Sequence, residues 1–387
     1  MSEGTVKAVI ASRIFTPEPA AASFRLRALA REIVSRGGTV DVLTTTAPSA
    51  VPDTLSEPGI TVRRAPVLRD SEGYVRGYAQ YMSFDIPLFF RLLVMKRPDV
   101  IICEPPPTTG FFTRIAAAIR RIPYVYYAAD IWSDAADSSA PKPVVKLLRF
   151  VETWAMRGAT EVITVSDAVA DRLRQLGVAH ITVATNGIDT DVFTLEGPEA
   201  DPRPGVRYFV YAGTASEWQG ADVFAKAMKI VHREEPDVKL CYLGQGSSSQ
   251  TIAQIAQEMP EGVVTQIGRV AQAEAAAWQR HAAGALVSIK PGLGYDFAMP
   301  TKVYSALSTG TPVVYAGPGP LRGPIASANL GEVVDYDADA VAAAMLAVVR
   351  APRDTRERVR LRQWVIDHHS LAATARAAYG GVEKAMR

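Results

Sequence analysis

Short apolar runs alternate with amphipathic segments along nearly all of the 387 residues, and this alternation limits the fold more than any other feature. "VKAVIAS" is followed by "FRLRALAREIVSRGG", in which Leu26, Leu29, Ala30 and Ile33 share one helical face ahead of a glycine stop. "TVDVLTT", "DVIICE" and "YVYYAAD" read as buried strands, with "TRIAAAIRR" as a helix between the last two. "EVITVSDAVADRLRQLG" reads as a strand, a Ser-Asp helix start, a helix and a glycine stop, and "HITVATNG" closes the series. Residues 196–207, "EGPEADPRPGVR", are rich in Pro, Gly and charge and read as a linker. A second series runs through "YFVYAGT", "VKLCYLGQG", "VVTQIG", "ALVSIK" and "PVVYAG". Strands separated by helices pair in parallel and are covered on both faces. The expectation is an α/β chain with two Rossmann-like, doubly wound parallel-sheet domains, residues 1–195 and 196–369, facing a cleft.

Composition removes several function classes. Lys plus Arg number 42 against 40 for Asp plus Glu, a net charge of +2, which does not suit a nucleic-acid binder. The two cysteines, Cys103 and Cys241, lie in apolar runs and read as small core residues, with neither a disulfide framework nor zinc spacing. A reducing, cytoplasmic setting fits. "MSEGTVKAVIAS" lacks the basic-then-apolar pattern of a secretory leader, and no apolar run reaches the ~20 residues of a membrane helix.

Open parallel sheets bind ligands beyond the carboxyl ends of their strands, so the strand-end loops are where chemistry is expected. In the first, "SRIFTPEPAAASFRLRAL", the small residues Ala20, Ala21 and Ala22 allow close approach, and Arg25 with the amides of the helix start favours an anion. An ordinary alanine-rich loop explains it equally well. In "YAGTASEWQG", Gly213 and Gly220 bracket a loop whose amides are placed for a phosphate or simply for a turn. "GQG", Gly244 to Gly246, is too short to be specific, and Arg269 in "IGRV" suits stacking on a base or plain solvation. "GYDFAMPTKVYSALSTGTPVV", residues 294–314, carries the strongest anion signal. Pro300 suits a first helical position, and Thr301 and Lys302 add a hydroxyl and an ammonium there. "DYDAD", residues 335–339, looks like a metal motif but fits helix capping better; His368 and His369 read as surface.

Taken in order, these segments resemble the retaining glycosyltransferases of family 4, of GT-B fold, over nearly the whole chain. "TPEPAAASFRLRALAREIVSRGGTVDVLTT" is similar to the family's opening loop and helix, and "YYAADIW" to its "Asp-x-Arg-Asp-Leu-Trp" strand end. The stretch ending "ATNGIDTDVF" resembles "IPNGVDxxxF" at Asn186, Gly187, Asp189 and Phe193, the most specific piece. "PTKVYSALSTGTPVV" is similar to the branch reading Pro-Ser-Lys-Leu-Tyr-Glu-Tyr-Leu.

The resemblance implies a C-terminal helix, 370–387, that returns to the first domain. It implies an acceptor held mainly by the first domain, near Ala20, Ala21, Ala22, Arg25 and Asn186. It implies a nucleotide diphosphate sugar held by Gly213, Thr214, Gln219, Gly244, Gly246, Arg269, Asp296, Phe297, Ala298, Met299, Pro300, Thr301, Lys302 and Ser305. Lys302, Asp130 and Glu104 are the implied catalytic residues, with no metal and no cofactor beyond the donor substrate.

The sequence departs from the family pattern at Thr214 and Gln219, where the family often has arginine and lysine. It departs again at Ser305 and Phe297, where paired glutamates stand, with Asp296 one residue away. Ala129 precedes Asp130 where histidine or arginine is usual, and Glu104 replaces a histidine. The implied activity is hexosyl transfer to an acceptor hydroxyl with retention. Two alternatives stay open: an epimerase or non-glycosidic coupling enzyme of the same fold, and a non-catalytic homologue. The acceptor is unspecified (small molecule, glycan or lipid-linked). "GYVRGYAQYMSFDIPLFFRLLVMKR", residues 73–97, mixes aromatic, apolar and basic residues as interfacial segments do. A packed helix pair is its plainer reading; peripheral contact with the inner face of a membrane is the alternative.

Overall fold

A computed structural model of the chain describes residues 5–18, 20–47, 57–70, 75, 77–135, 141–198, 206–352 and 354–387. The chain divides into two compact units, residues 1–186 with 371–387, and residues 187–370. Most of the linker expected at 196–207, namely residues 199–205, lies outside the described residues, as do Gly73, Tyr74 and Arg76 of the interfacial-type segment.

The first unit holds seven strands: β1 (Lys7–Ala11), β2 (Thr39–Thr45), β3 (Ile60–Ala65), β4 (Val100–Cys103), β5 (Tyr124–Ala128), β6 (Glu161–Thr164) and β7 (Ile181–Val183). They form one parallel sheet in the order β3-β2-β1-β4-β5-β6-β7. Its helices are α1 (Ala21–Ser35), α2 (Tyr78–Val94), α3 (Pro107–Arg120), α4 (Trp132–Ala135), α5 (Lys142–Arg157) and α6 (Asp167–Gln175). β4 and β5 are buried at every position because helices cover both faces. One side packs Leu26, Leu29 and Ile33 of α1 with Ala378, Tyr379 and Val382 near the C-terminus. The other packs Phe84, Leu88 and Leu92 of α2 with Ala116, Ala155 and Leu173. Ser166 caps α6 by accepting from Val169 N at 3.3 Å.

The second unit holds β8 (Tyr208–Ala212), β9 (Lys239–Leu243), β10 (Val264–Gly268), β11 (Gly284–Ser288), β12 (Val313–Ala316) and β13 (Gly331–Val334). This sheet is also parallel, in the order β10-β9-β8-β11-β12-β13. Its helices are α7 (Asp222–Glu234), α8 (Ser249–Ala256), α9 (Gln272–His281), α10 (Lys302–Ser308), α11 (Arg322–Ser327), α12 (Ala338–Arg350) and α13 (Thr355–His368). The final helix, α14 (Leu371–Met386), belongs to the first unit, where Thr374 Oγ1 donates to the Thr185 carbonyl at 2.6 Å and Lys384 Nζ to Thr182 Oγ1 at 2.9 Å.

The division falls between Asn186 and Gly187, ahead of the Pro- and Gly-rich stretch, because residues 188–195 are fastened to the second unit. Ile188 N donates to the His369 carbonyl at 2.8 Å. Arg362 donates to the carbonyls of Phe193 (2.6 Å) and Thr190 (2.8 Å), and the Phe193 ring is buried.

Several local details differ from the sequence reading. Ala21 and Ala22 form the first turn of α1, with Ala20 at its N-cap, so the small-residue stretch is helix start and not open loop. Pro300 stands two residues ahead of α10, whose N-cap is Thr301. His369 is half-buried and stacks on Tyr304 at 4.1 Å between ring centroids, while His368 is exposed. Asp337 caps α12 through Asp339 N and Ala340 N (3.0 and 2.9 Å), and Asp335 pairs with Arg322. Arg362→Ala leaves the Phe193 and Thr190 carbonyls short of a donor, so chemical denaturation should show a loss of about 1–3 kcal/mol.

Candidate functional site

In the second unit the chain reverses its direction of winding between β8 and β11, and a cavity of about 610 Å³ opens beyond the carboxyl ends of the strands there. Gly213 and Thr214 enter it after β8, Gly244 and Gln245 after β9, and Arg269 and Val270 after β10. Met299, Pro300, Thr301, Lys302 and Ser305 close it from the β11–α10 connection, with Gln219 and Trp218 beside them. Two glycines permit the close packing of these loops. Gly213 and Gly244 both have positive φ (126° and 134°), and a Cβ on Gly244 would stand 2.2 Å from the Gly213 carbonyl oxygen.

Lys302 is the central cation. Its Nζ donates to Tyr211 Oη at 2.7 Å and to the Thr214 carbonyl at 3.4 Å, and lies 3.9 Å from the Tyr211 ring centroid. Tyr211 Oη lies 2.9 Å from the Thr214 carbonyl and 3.0 Å from Gln219 Oε1, either of which can accept its proton. Among the described residues no carboxylate pairs with Lys302, and burial pushes its ammonium down to about 7. The residues that line the cavity include two cations, Arg269 and Lys302, and no Asp or Glu. Among the described residues no group of three or more His, Cys, Asp or Glu is arranged to hold a metal.

Ser305 lines the same cavity, with its hydroxyl already engaged. Its Oγ donates to the Lys302 carbonyl at 3.0 Å and accepts from Gln279 Nε2 at 3.1 Å. Gly246 lines a smaller neighbouring cavity of about 430 Å³ that shares Gly244 and Gln245. Asp296, Phe297 and Ala298 do not line either cavity. Phe297 is 59% exposed, and its ring follows a stack in which Trp218 and Tyr295 lie 4.8 Å apart and Tyr295 and Phe297 6.5 Å apart.

The residues expected on the acceptor side form a separate cluster in the first unit. Arg25 and Glu104, both about 5% exposed, form a direct ion pair. Arg25 also donates to Asn186 Oδ1 at 3.3 Å, and its guanidinium lies 4.8 Å from the Tyr127 ring centroid. Burial pulls the Arg25 guanidinium down, but the charge and hydrogen bond of Glu104, together with Tyr127 and Asp130, outweigh it and hold it above its ordinary range. Glu104 follows β4 with one oxygen toward Arg25 and the other accepting from Ser12 Oγ at 3.3 Å. The carboxylate expected to meet substrate is thus engaged inside the protein. Asp130, two residues past β5, is exposed.

Two family models match the chain in sequence. The glycosyl transferase 4-like domain matches residues 21–187, and glycosyl transferases group 1 matches residues 206–351. The chain belongs to the GT-B glycosyltransferases. A curated relative, D-inositol 3-phosphate glycosyltransferase of Paenarthrobacter aurescens (strain TC1), is 30% identical over 199 residues, covering 46% of this chain and 46% of the relative, just under half of its length. Among solved structures, a glycosyltransferase from Rickettsia africae superposes with a TM-score of 0.72 at 13% identity, covering 99% of each chain. Sucrose-phosphate synthase from Thermosynechococcus elongatus gives 0.69 at 17%, covering 98% of each. Anabaena HepE, in complex with UDP and glucose, gives 0.67 at 16%, covering 98% of this chain and 99% of that one. These likenesses establish the fold.

Within this GT-B chain, sequence reasoning passed over Tyr211, Trp218, Gln245 and Gln279. Tyr211 lies in an apolar strand run, where its hydroxyl carries no signal until Lys302 is brought to it from 91 residues away. Gln279 sits on an amphipathic helix and reads as an ordinary surface residue, yet it is 1% exposed. Glu104→Ala should destabilise the fold by about 3–5 kcal/mol because it strands a buried guanidinium, whereas Arg25→Ala with Glu104→Ala should lose less than the two single losses combined. Urea titrations of the three variants measure this.

Proposed function

We propose that the protein transfers a hexosyl unit from a nucleotide diphosphate sugar to an acceptor hydroxyl, with retention and without a metal. The observation that carries this reading is the cavity lining, with two cations and no carboxylate, in a chain of the GT-B family. Such a lining favours an anion and disfavours a ligand that needs acidic partners. Lys302 would take the diphosphate, since a half-buried ammonium with only neutral partners gains most from an arriving negative charge. Gly213 and Thr214 would flank the phosphates, and Gly244, Gly246 and Arg269 would face the nucleoside. Ser305 and Gln279 would meet the ribose with neutral groups, and Met299, Pro300 and Thr301 with Gln219 would border the sugar. HepE, whose complex contains UDP and glucose, is consistent with a donor of this kind.

The chemistry follows from the charge. As the glycosidic bond breaks, negative charge grows on the leaving diphosphate, and Lys302 stabilises it more than it stabilises the intact donor. The lining offers no carboxylate to act as a nucleophile, so retention would proceed on one face of the sugar, with the departing phosphate oxygen taking the acceptor proton. In the first unit, Asp130 would orient hydroxyls, with Arg25, Asn186 and the α1 start at Ala20, Ala21 and Ala22 on the acceptor side. Glu104 would act through Arg25 by holding it in place.

Incubation with a panel of nucleotide diphosphate sugars, with and without acceptor extracts, tests the reaction. Sugar released to water or acceptor should first appear with the donor's anomeric configuration by proton NMR. Inverted product overturns retention, and an isomerised donor formed without acceptor makes the protein an epimerase. Activity should persist in excess chelator.

Lys302→Ala should weaken nucleotide-sugar binding by about 1.5–3 kcal/mol by calorimetry. Because the free ammonium titrates at about 7 and the bound diphosphate raises it, affinity should be greatest below that pH. It should fall by up to about tenfold per pH unit above it. The Lys302→Ala variant should lose this pH dependence.

A further inference from the structure

We propose that the first unit docks on an anionic lipid bilayer through the outer face formed by α2, α3 and α5. The inference concerns a surface of the first unit, whereas the cavity belongs to the second, and it does not depend on the reaction proposed above. Large apolar side chains normally scatter singly over a soluble surface. Here they gather: Phe90 is 58% exposed, Val94 83%, Ile119 62%, Leu147 64% and Phe150 66%. They belong to three helices that pack side by side in the order α2, α3, α5.

The rings beneath them are continuous. Phe90 meets Phe89 at 5.3 Å between centroids, Phe89 meets Phe112 at 6.0 Å, Phe112 meets Phe111 at 5.4 Å, and Phe111 meets Trp154 at 5.2 Å. The chain of contacts crosses all three helices, so the apolar surface is one strip held by packing and not a set of separate residues. Aromatic side chains of this kind favour the boundary between headgroups and acyl chains.

Charge selects the occupant. The three helices carry seven Lys and Arg residues and only two acids, Asp85 and Glu152. Both acids are 0% exposed and turned inward: Asp85 accepts from Thr109 Oγ1 at 2.6 Å, and Glu152 from the amides of Trp132 and Ser133 (2.7 and 2.9 Å). The exposed cations of the three helices are Lys142, Lys146 and Arg157 of α5, whereas Arg149 pairs with Asp134 (3.2 Å) and Arg91, Arg114 and Arg120 are half-buried donors to backbone carbonyls. On α5 the exposed Lys142 and Lys146 flank the exposed Val144, Leu147 and Phe150, so cations rim the apolar strip. Long cationic side chains can reach phosphate headgroups while the apolar strip enters the interface. A second copy of this face would bring cations against cations. A nucleic-acid backbone would leave the phenylalanines unused. Among the described residues no helix is long and apolar enough to cross a membrane, so contact would be at the surface.

Sedimentation of the full chain with vesicles tests the proposal. Binding to phosphatidylcholine vesicles containing phosphatidylglycerol should exceed binding to pure phosphatidylcholine by about tenfold or more and should weaken in high salt. Phe90→Ser with Phe150→Ser, and separately Lys142→Glu with Lys146→Glu, should each reduce binding by about tenfold at unchanged melting temperature. The charge pair leaves the apolar strip intact and so stands as a test if the serine pair unfolds. Equal binding to both vesicle types, no binding, or wild-type binding by the charge variant overturns the proposal. Self-association lost in the serine pair, with no vesicle binding, also overturns it by assigning the face to a second copy.

Discussion

A parallel strand covered by helices on both faces admits few charged side chains, and this constraint shapes everything else in the chain. β4, β5, β11 and β12 are buried at every position. An unpaired polar group there would lose its hydration without return. Polar chemistry is thereby moved to the ends of the strands, where loops meet solvent. The two sheets obey the same rule, but their strand ends are equipped differently. The second unit gathers glycines, amides and two cations around an open cavity. The first places an arginine and a glutamate against each other beneath the surface.

The contrast between those two ends is electrostatic. Arg25 has an opposite charge in contact, so its charge is satisfied within the fold. Lys302 has a phenol, an aromatic face and a carbonyl, which are polar but neutral. A half-buried cation with neutral partners is less stable charged than it would be in water, and an anionic ligand would recover part of that free energy. The absence of acids from the cavity lining matters for the same reason, since one carboxylate beside Lys302 would cancel the attraction. The two sites differ less in residue type than in which charges the fold has already neutralised.

A third distribution of charge lies on the outside of the first unit. Helices that must cover a sheet need one apolar side. In α5 the buried side carries Val145, Ala155 and Met156, which suffices for packing. The apolar residues on its opposite side do nothing for the core. Their alignment with the exposed Phe90 and Val94 of α2 and Ile119 of α3 is a property of the surface and is independent of what holds the domain together.

Much of this was readable in the sequence. Strand and helix periodicity follow from local side-chain spacing, so the two parallel sheets, the helix faces and a lysine at the start of α10 could be read without coordinates. The same holds for the capping role of Asp337, which depends on residues two and three positions away. What the sequence could not decide were contacts between residues distant along the chain. Periodicity does not say that Glu104 will be consumed by Arg25, 79 residues earlier, or that Ser305 will be engaged by Gln279. Composition marks a linker at 196–207, but the units part at Gly187, because Arg362 and His369 fasten the preceding residues to the second unit. Local propensity is written into neighbouring residues, whereas the state of a charge depends on which groups tertiary packing brings within a few ångströms of it.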